Sequence, residues 1–220
     1  MSDSYAVGRR NKIRQLSDKA AYDRQTIHQI LDNALIAHVA FVEGGQPVVV
    51  PMLIGRDGET IYLHGARKAR VIRLLESTGT ACINVTHVDG LVFARSAFNS
   101  SLNYRSATLF GTPRLVTDAA DKLRALQIIT EHTMPGRWAE LRAPFERELK
   151  MTGVVAVEIE SASAKVSSKM PQDEPEDYAT PVWAGVLPIE SRCTVLQPDD
   201  RLQDGVVPSD ALRRLEGRRF

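Results

Sequence analysis

Two hydrophobic periods divide this chain. Between Asp23 and Leu35, apolar residues fall at Ile27, Ile30, Leu31, Ala34 and Leu35, the spacing of a helix with one buried stripe, and Asp23 or Thr26 can cap its start. From residue 37 the period drops to two. AHVAFV, VVVPMLI and TIYLH predict three short strands joined through EGGQP and GRDGE, with Asp57-Gly58 the stronger turn signal. Val71 to Glu76 predicts a short helix. TACINVTHV and LVFARSA, separated by VDG, predict a second hairpin, and NYRSATLFGTPRLV a long strand bent near Gly111-Thr112-Pro113. Thr117 to Met134 predicts the longest helix, opened by Thr117 or Asp118 and buried along Leu123, Leu126 and Ile129. A helical piece from Trp138 to Leu149 contains Pro144 and must start, bend or break there. VVAVEIESASAKVS predicts one further strand. Six or seven strands in hairpin order with a few helices predict a mainly β, α+β fold built on an antiparallel barrel. The strands do not alternate with helices and no GxGxxG follows any of them, which argues against a Rossmann-type dinucleotide domain.

Composition narrows the function classes. The 220 residues suit one compact core with extra segments, and 43% hydrophobic with 25% charged content is that of an ordinary globular protein. A net charge of +1 gives no nucleic-acid footprint. Cys82 and Cys193 form neither a metal motif nor a disulfide framework, and Cys82, in an alternating strand, reads as a small buried hydrophobe. No apolar leader and no run of about 18 apolar residues occurs, so neither membrane nor secretion is expected and the location expected is cytoplasmic. Residues 1–20, with Arg9, Arg10, Lys12 and Arg14, read as an N-terminal arm; residues 21–190 hold the domain and 191–220 a tail.

Charge is unevenly placed in one stretch, IYLHGARKARVI, residues 61–72. A strand ends at His64, and Arg67, Lys68 and Arg70 crowd the junction with the next helix. Small residues let backbone N–H groups approach a ligand, and a helix N-terminus attracts anions, so this junction could hold a phosphate monoester. The plain alternative is a solvated first turn. Against it, cations disfavour a helix N-terminus unless an anion compensates them.

Four segments carry a family resemblance: Val50-Pro51-Met52; Ile61-Tyr62-Leu63-His64-Gly65-Ala66 with Lys68; Asn103-Tyr104-Arg105-Ser106 leading to Phe110-Gly111; and Pro181-Val182-Trp183-Ala184-Gly185-Val186-Leu187-Pro188. In this order they resemble the pyridoxamine 5′-phosphate oxidase-like split-barrel flavoproteins, in the flavin-nucleotide-binding branch related to nitroimidazole-resistance proteins, over roughly residues 20–190. The resemblance implies a homodimeric split β-barrel with FMN, or FAD, in a groove at the subunit interface. It implies that Arg67 and Lys68 bind the phosphate with the Gly65-Ala66 backbone, and that Pro51 and Met52 line the isoalloxazine. Tyr104, Arg105 and Ser106 would lie on the interface strand, with Trp183, Ala184 and Gly185 closing over the ring. It implies an oxidoreductase reducing a small electrophile such as a nitro compound with electrons from NAD(P)H. The same fold also accommodates a flavin carrier or redox sensor, or haem or deazaflavin, with His64 or His87 as an axial ligand for haem. His64 matches a position implicated in the nitroimidazole-resistance branch and is the one candidate acid or base. The basic residues with which pyridoxamine phosphate oxidases hold their substrate are not evident, nor are their paired C-terminal arginines, so vitamin B6 oxidation is not implied. Each residue also has a structural reading: Met52 and Tyr62 as core, Arg105 in an ion pair, Trp183 as a packing anchor, His64 as a hydrogen-bonded strand end.

Overall fold

The computed structural model describes residues 3–220. Ten strands are present: β1 (Ala20–Ala21), β2 (Ile36–Glu43), β3 (Gln46–Asp57), β4 (Thr60–Ala66), β5 (Ala81–Phe93), β6 (Ser101–Gly111), β7 (Pro113–Leu115), β8 (Thr152–Glu158), β9 (Ser161–Ser167) and β10 (Gly185–Pro188). The helices are α1 (Arg24–Asp32), α2 (Arg70–Ser77), α3 (Ala119–Thr133), α4 (Glu146–Met151) and α5 (Asp210–Arg213). Among the described residues, no helix is long and apolar enough to cross a membrane.

All pairings are antiparallel, in the order β1-β9-β6-β5-β2-β3-β4-β8-β7, with β10 added to β5. The sheet does not close by hydrogen bonding. Yet β8 and β9, far apart in that order, are separated in sequence by Ile159 and Glu160 alone. Two residues span at most about 11 Å between flanking Cα atoms, so the sheet must curl until the two meet. The result is a split barrel. At the seam, Glu160 N–H donates to Phe110 O at 3.0 Å. A side chain at Gly111 would collide with the Glu158 carbonyl, so glycine is required there.

The inner face is the core. Ile54, Ile61, Leu63, Ile83 and Leu109 are completely buried in it, and α1 and α2 contribute Ile27, Leu31, Ile72 and Leu75. A smaller cluster under α3 joins Ala125 to Val154 and Ala156, with Tyr62 packed against it. Asp23 caps α1 by accepting from Thr26 N–H at 2.7 Å, and Asp118 caps α3.

Three expectations are corrected. TACINVTHV through LVF is one strand, not a hairpin: the VDG residues form a bulge between Val88 and Gly90, and the turn falls after Ala94. VVAVEIESASAKVS makes two strands, because the chain crosses the seam at Ile159-Glu160. Leu123 of α3 is 37% exposed, and Ala125 takes the buried place with Ile129. The lead-in is packed on the barrel. Tyr5 is buried in the core cluster, and the Asn11 amide donates to Ala6 O and Ala162 O at 3.0 and 2.9 Å.

Candidate functional site

β3 belongs to two partnerships. Ile54 to Asp57 pair with β4, whereas Gln46 to Leu53 pair with β2 alone. Carried on, the β3–β4 register would set Pro51 opposite Ala66, but the strands have parted by then and β4 continues beside β8. The two strands therefore diverge as a wedge, with Val50 and Pro51 on one arm and the residue 65–69 junction on the other. The junction is fixed by Arg67 N–H donating to Met151 O at 2.7 Å and by a tight turn from Ala69 N–H to Ala66 O at 2.8 Å.

The three cations there are not equivalent. Arg67 pairs with Glu76 at 3.2 Å, both partners about 40% exposed. Arg70, the first residue of α2, pairs with Glu43 at the end of β2 and so ties the helix to the β2–β3 hairpin. Lys68 is exposed and has no partner among the described residues. Helix polarity therefore weighs little against these cations: Arg67 and Lys68 precede the Ala69 N-cap, and Arg70 is compensated by Glu43. The Arg67–Glu76 pair is worth little in water and yields readily to a better anion.

Pro51 points outward, opposite His38. Met52 points the other way into the core, 8% exposed, so its side chain does not share a face with Pro51. Tyr62 lies on the opposite face of β4 from Ile61 and Leu63 and packs against the smaller cluster under α3. His64 is half-buried; its Nδ1 is buried with no hydrogen-bond partner, and desolvation lowers the ring's pKa and keeps it neutral. Tyr104 and Ser106 lie opposite Val88 and Thr86 of β5 and alternate with Arg105. Arg105 is held by Asp89 through bonds of 2.9 and 2.8 Å, which raise its already high pKa. It is an ion pair, the structural reading. Cys82 is half-buried, and burial pushes its thiol up.

Trp183 is 70% exposed and leans on Phe93, ring centroids 5.9 Å apart. Gly185 pairs with Phe93, and a Cβ there would meet the indole at 2.8 Å, so this glycine seats the tryptophan. The segment before it is tied down by Asp173, whose buried carboxylate accepts from the Arg95 backbone at 2.7 Å and its guanidinium at 3.0 Å. Phe93 is nine residues along β5 from Asn84, which lies beside His38 and level with Pro51. At the rise of a strand this is about 30 Å. One chain therefore does not bring Trp183, Ala184 and Gly185 to Pro51 or the junction.

Part of the outer face of β2 and β3 is apolar and uncovered: Val42, Val49 and Leu53 are 42–63% exposed. Two features escaped the sequence reading. One is a buried charge cluster, in which Tyr5 donates to Glu59 at 2.6 Å beside Arg24 and His28. The other is a cavity of about 460 Å³ beside Pro51 and His38, covered by Ile189, Ser191 and Phe220 from the C-terminal segment. No local pattern signals either, since their members are far apart in sequence.

A family model described as pyridoxamine 5′-phosphate oxidase matches residues 23–166. The chain belongs to that family. Its matched span includes the wedge, the junction and the outer strand face, and ends before β9 is complete. A search of curated proteins found no match. Among solved structures, the flavocytochrome Anf3 from Azotobacter vinelandii is 35% identical, with a TM-score of 0.90 over 95% of this chain and 97% of that one. A protein from Mycobacterium smegmatis described as FAD- and haem-binding is 36% identical, with a TM-score of 0.87 over 90% and 98%. A candidate 5-nitroimidazole antibiotic resistance protein from Bacteroides thetaiotaomicron is 25% identical, with a TM-score of 0.59 over 67% and 86%. The two fuller matches extend well beyond the family segment, so most of the C-terminal quarter of this pyridoxamine 5′-phosphate oxidase family member is itself part of a recurring structure.

Proposed function

We propose that this protein is a homodimeric flavin-binding oxidoreductase that also carries haem. The observation that carries the flavin reading is the β3–β4 wedge, where an uncommitted Lys68 and a weakly held Arg67 stand across from Pro51. Those groups fit a phosphate monoester: two cations, the first-turn backbone of α2, and small residues at Gly65 and Ala66. FMN or FAD meets that description, and the protein described as FAD- and haem-binding supports FAD. A bound flavin supplies electron or hydride transfer, and the chain supplies binding, orientation and access. NAD(P)H is the donor and a small electrophile such as a nitro compound the acceptor in this reading.

The dimer is supported by the uncovered apolar face of β2 and β3 and by the separation of Trp183 from Pro51, which leaves the site incomplete in one chain. The haem reading is supported by the two flavocytochrome-like neighbours and by His64. His87, the other axial candidate, uses Nε2 on Ile30 O at 3.0 Å, and His132 uses Nε2 on Ala34 O at 2.7 Å. His64 has a buried nitrogen without a partner and is held neutral, the form that binds iron.

The visible spectrum of the purified protein tests this. A flavin band together with a Soret band is expected, and His64→Ala should remove the Soret band and spare the flavin. A flavin band alone leaves a flavin enzyme or carrier; neither band, with no uptake of added FMN or FAD, overturns the proposal. Light scattering giving a mass near 24.3 kDa would refute the dimer.

A further inference from the structure

The cavity beside Pro51 is built by two parts of the chain with different histories in the comparisons. Its floor is the outer face of β2, β3 and β5, inside the family segment; its roof, at Ile189 and Phe220, lies outside it. The roof is anchored rather than draped. Phe220 N–H donates to Ser191 O at 3.1 Å, Arg192 and Arg219 form a β-bridge, and the Arg218 guanidinium donates to Thr133 O at 3.1 Å. A neighbouring space of about 310 Å³ shares Asn33, Ile189, Ser191 and Phe220 with the first, so the two adjoin.

Charge in this space is already cancelled. Arg105 is held by Asp89 at 2.8 Å, and Arg219 by Glu190 at 3.0 Å. His87 is tied to Ile30 O. What remains is an apolar slot, walled by Ile36, Val88, Ile189 and Phe220, with one unengaged polar ring: His38 makes no hydrogen bond among the described residues. Its volume suits a molecule of one or two fused rings and is too small for a dinucleotide.

We propose that this slot is the acceptor-binding site, and that it takes a flat, uncharged ring compound bearing a hydrogen-bond acceptor, received by His38. An ionic ligand would find no free partner here, whereas a carbonyl or nitro oxygen meets the His38 ring. Pro51 is shared between this slot and the wedge, so the ligand lies next to the place assigned to the flavin ring. The inference rests on that assignment for its role as acceptor site, but not for binding as such.

The test is calorimetric titration of the full-length protein with menadione, a flat uncharged two-ring quinone, in flavin-loaded and flavin-free forms. Binding is expected in both. Ile189→Trp, which fills the slot from its roof, should weaken it at least tenfold, and His38→Ala about two- to tenfold, the worth of one hydrogen bond. Flavin uptake should be the same in both variants, since neither residue belongs to the junction. Menadione that fails to bind the wild type, or binds both variants as tightly, overturns the proposal. So does haemin that displaces menadione with a Soret band altered by His38→Ala, because the slot would then hold the prosthetic group. If the protein takes up no flavin at all, the flavin reading fails, and the titration of the flavin-free chain still decides whether the slot binds a ring.

Discussion

Two charged clusters in this molecule use arginine and glutamate to opposite ends. Around Tyr5, the Arg24 guanidinium stacks over the phenol 4.1 Å from the ring centre and pairs with Glu59, which also accepts from Tyr5. These groups are three-quarters buried, and burial together with the Glu59 contact pushes the Tyr5 phenol far above its ordinary pKa. At residues 67–70, Arg67 and Arg70 meet Glu76 and Glu43 in the open, and Lys68 meets nothing. A buried, mutually satisfied cluster is committed to holding the chain together, because losing one member strands the others without water. An exposed cluster with a surplus charge contributes little to folding and stays available to a ligand. Cations alone therefore do not mark a site; cations without a committed partner do.

The comparison can be broken at either end. The largest effect expected is on stability: Glu59→Ala strands Arg24 and Tyr5 and should cost about 2–4 kcal/mol, read as a lower urea midpoint at unchanged slope. A loss below about 0.5 kcal/mol, no more than a typical surface change, would mean the cluster is not structural. Next comes the joint replacement Arg67→Ala and Lys68→Ala, which should weaken FMN about 10–100-fold and riboflavin far less, with the urea midpoint unmoved. Equal losses for the two ligands would return the junction to a solvated turn. A smaller effect sharpens the same point. Glu76→Gln releases Arg67 from its competitor and should tighten FMN about two- to threefold in low salt, a gain that vanishes as salt is added.

The smallest effect concerns pH. Burial, with Arg56 nearby, lowers the His28 pKa despite Glu59, and Glu59 itself lies below its ordinary value through its bonds to Tyr5 and Arg24, which outweigh its own desolvation. Both groups bind protons more readily in the unfolded chain, so each makes stability fall as pH falls. His28 acts first, below about pH 6.5, and Glu59 below about 4.5. Urea midpoints should drop between pH 7 and 5, and His28→Gln should flatten part of that drop. A midpoint that rises on acidification would contradict both shifts.

Much of the barrel was legible in the sequence because strand and helix periods are local. Ile27, Ile30 and Leu31 set the buried stripe of α1, the Gly44-Gly45 and Asp57-Gly58 turns take the positive φ that hairpins need, and Pro144 interrupts the helix before α4. The junction was legible too, since its small residues and cations are adjacent in the chain. VDG misled because a bulge and a turn use the same residues, and only the partner strand separates them.

What the sequence by itself determined is the set of elements, the inward and outward alternation along each strand, and the family to which their order belongs. The tertiary structure decided which charges are spent. Nothing local says that Glu43 reaches Arg70, that Glu76 takes Arg67, or that Tyr5 crosses to Glu59 while Lys68 is left over. It decided that Met52 turns inward beside an outward Pro51, and that Trp183 sits about 30 Å along β5 from it. It also carried Phe220 back beside His38 to wall the slot. Periodicity acts between neighbours in the chain. Pairing of charges and walling of space act between segments tens of residues apart, and only the curling of the sheet brings those together.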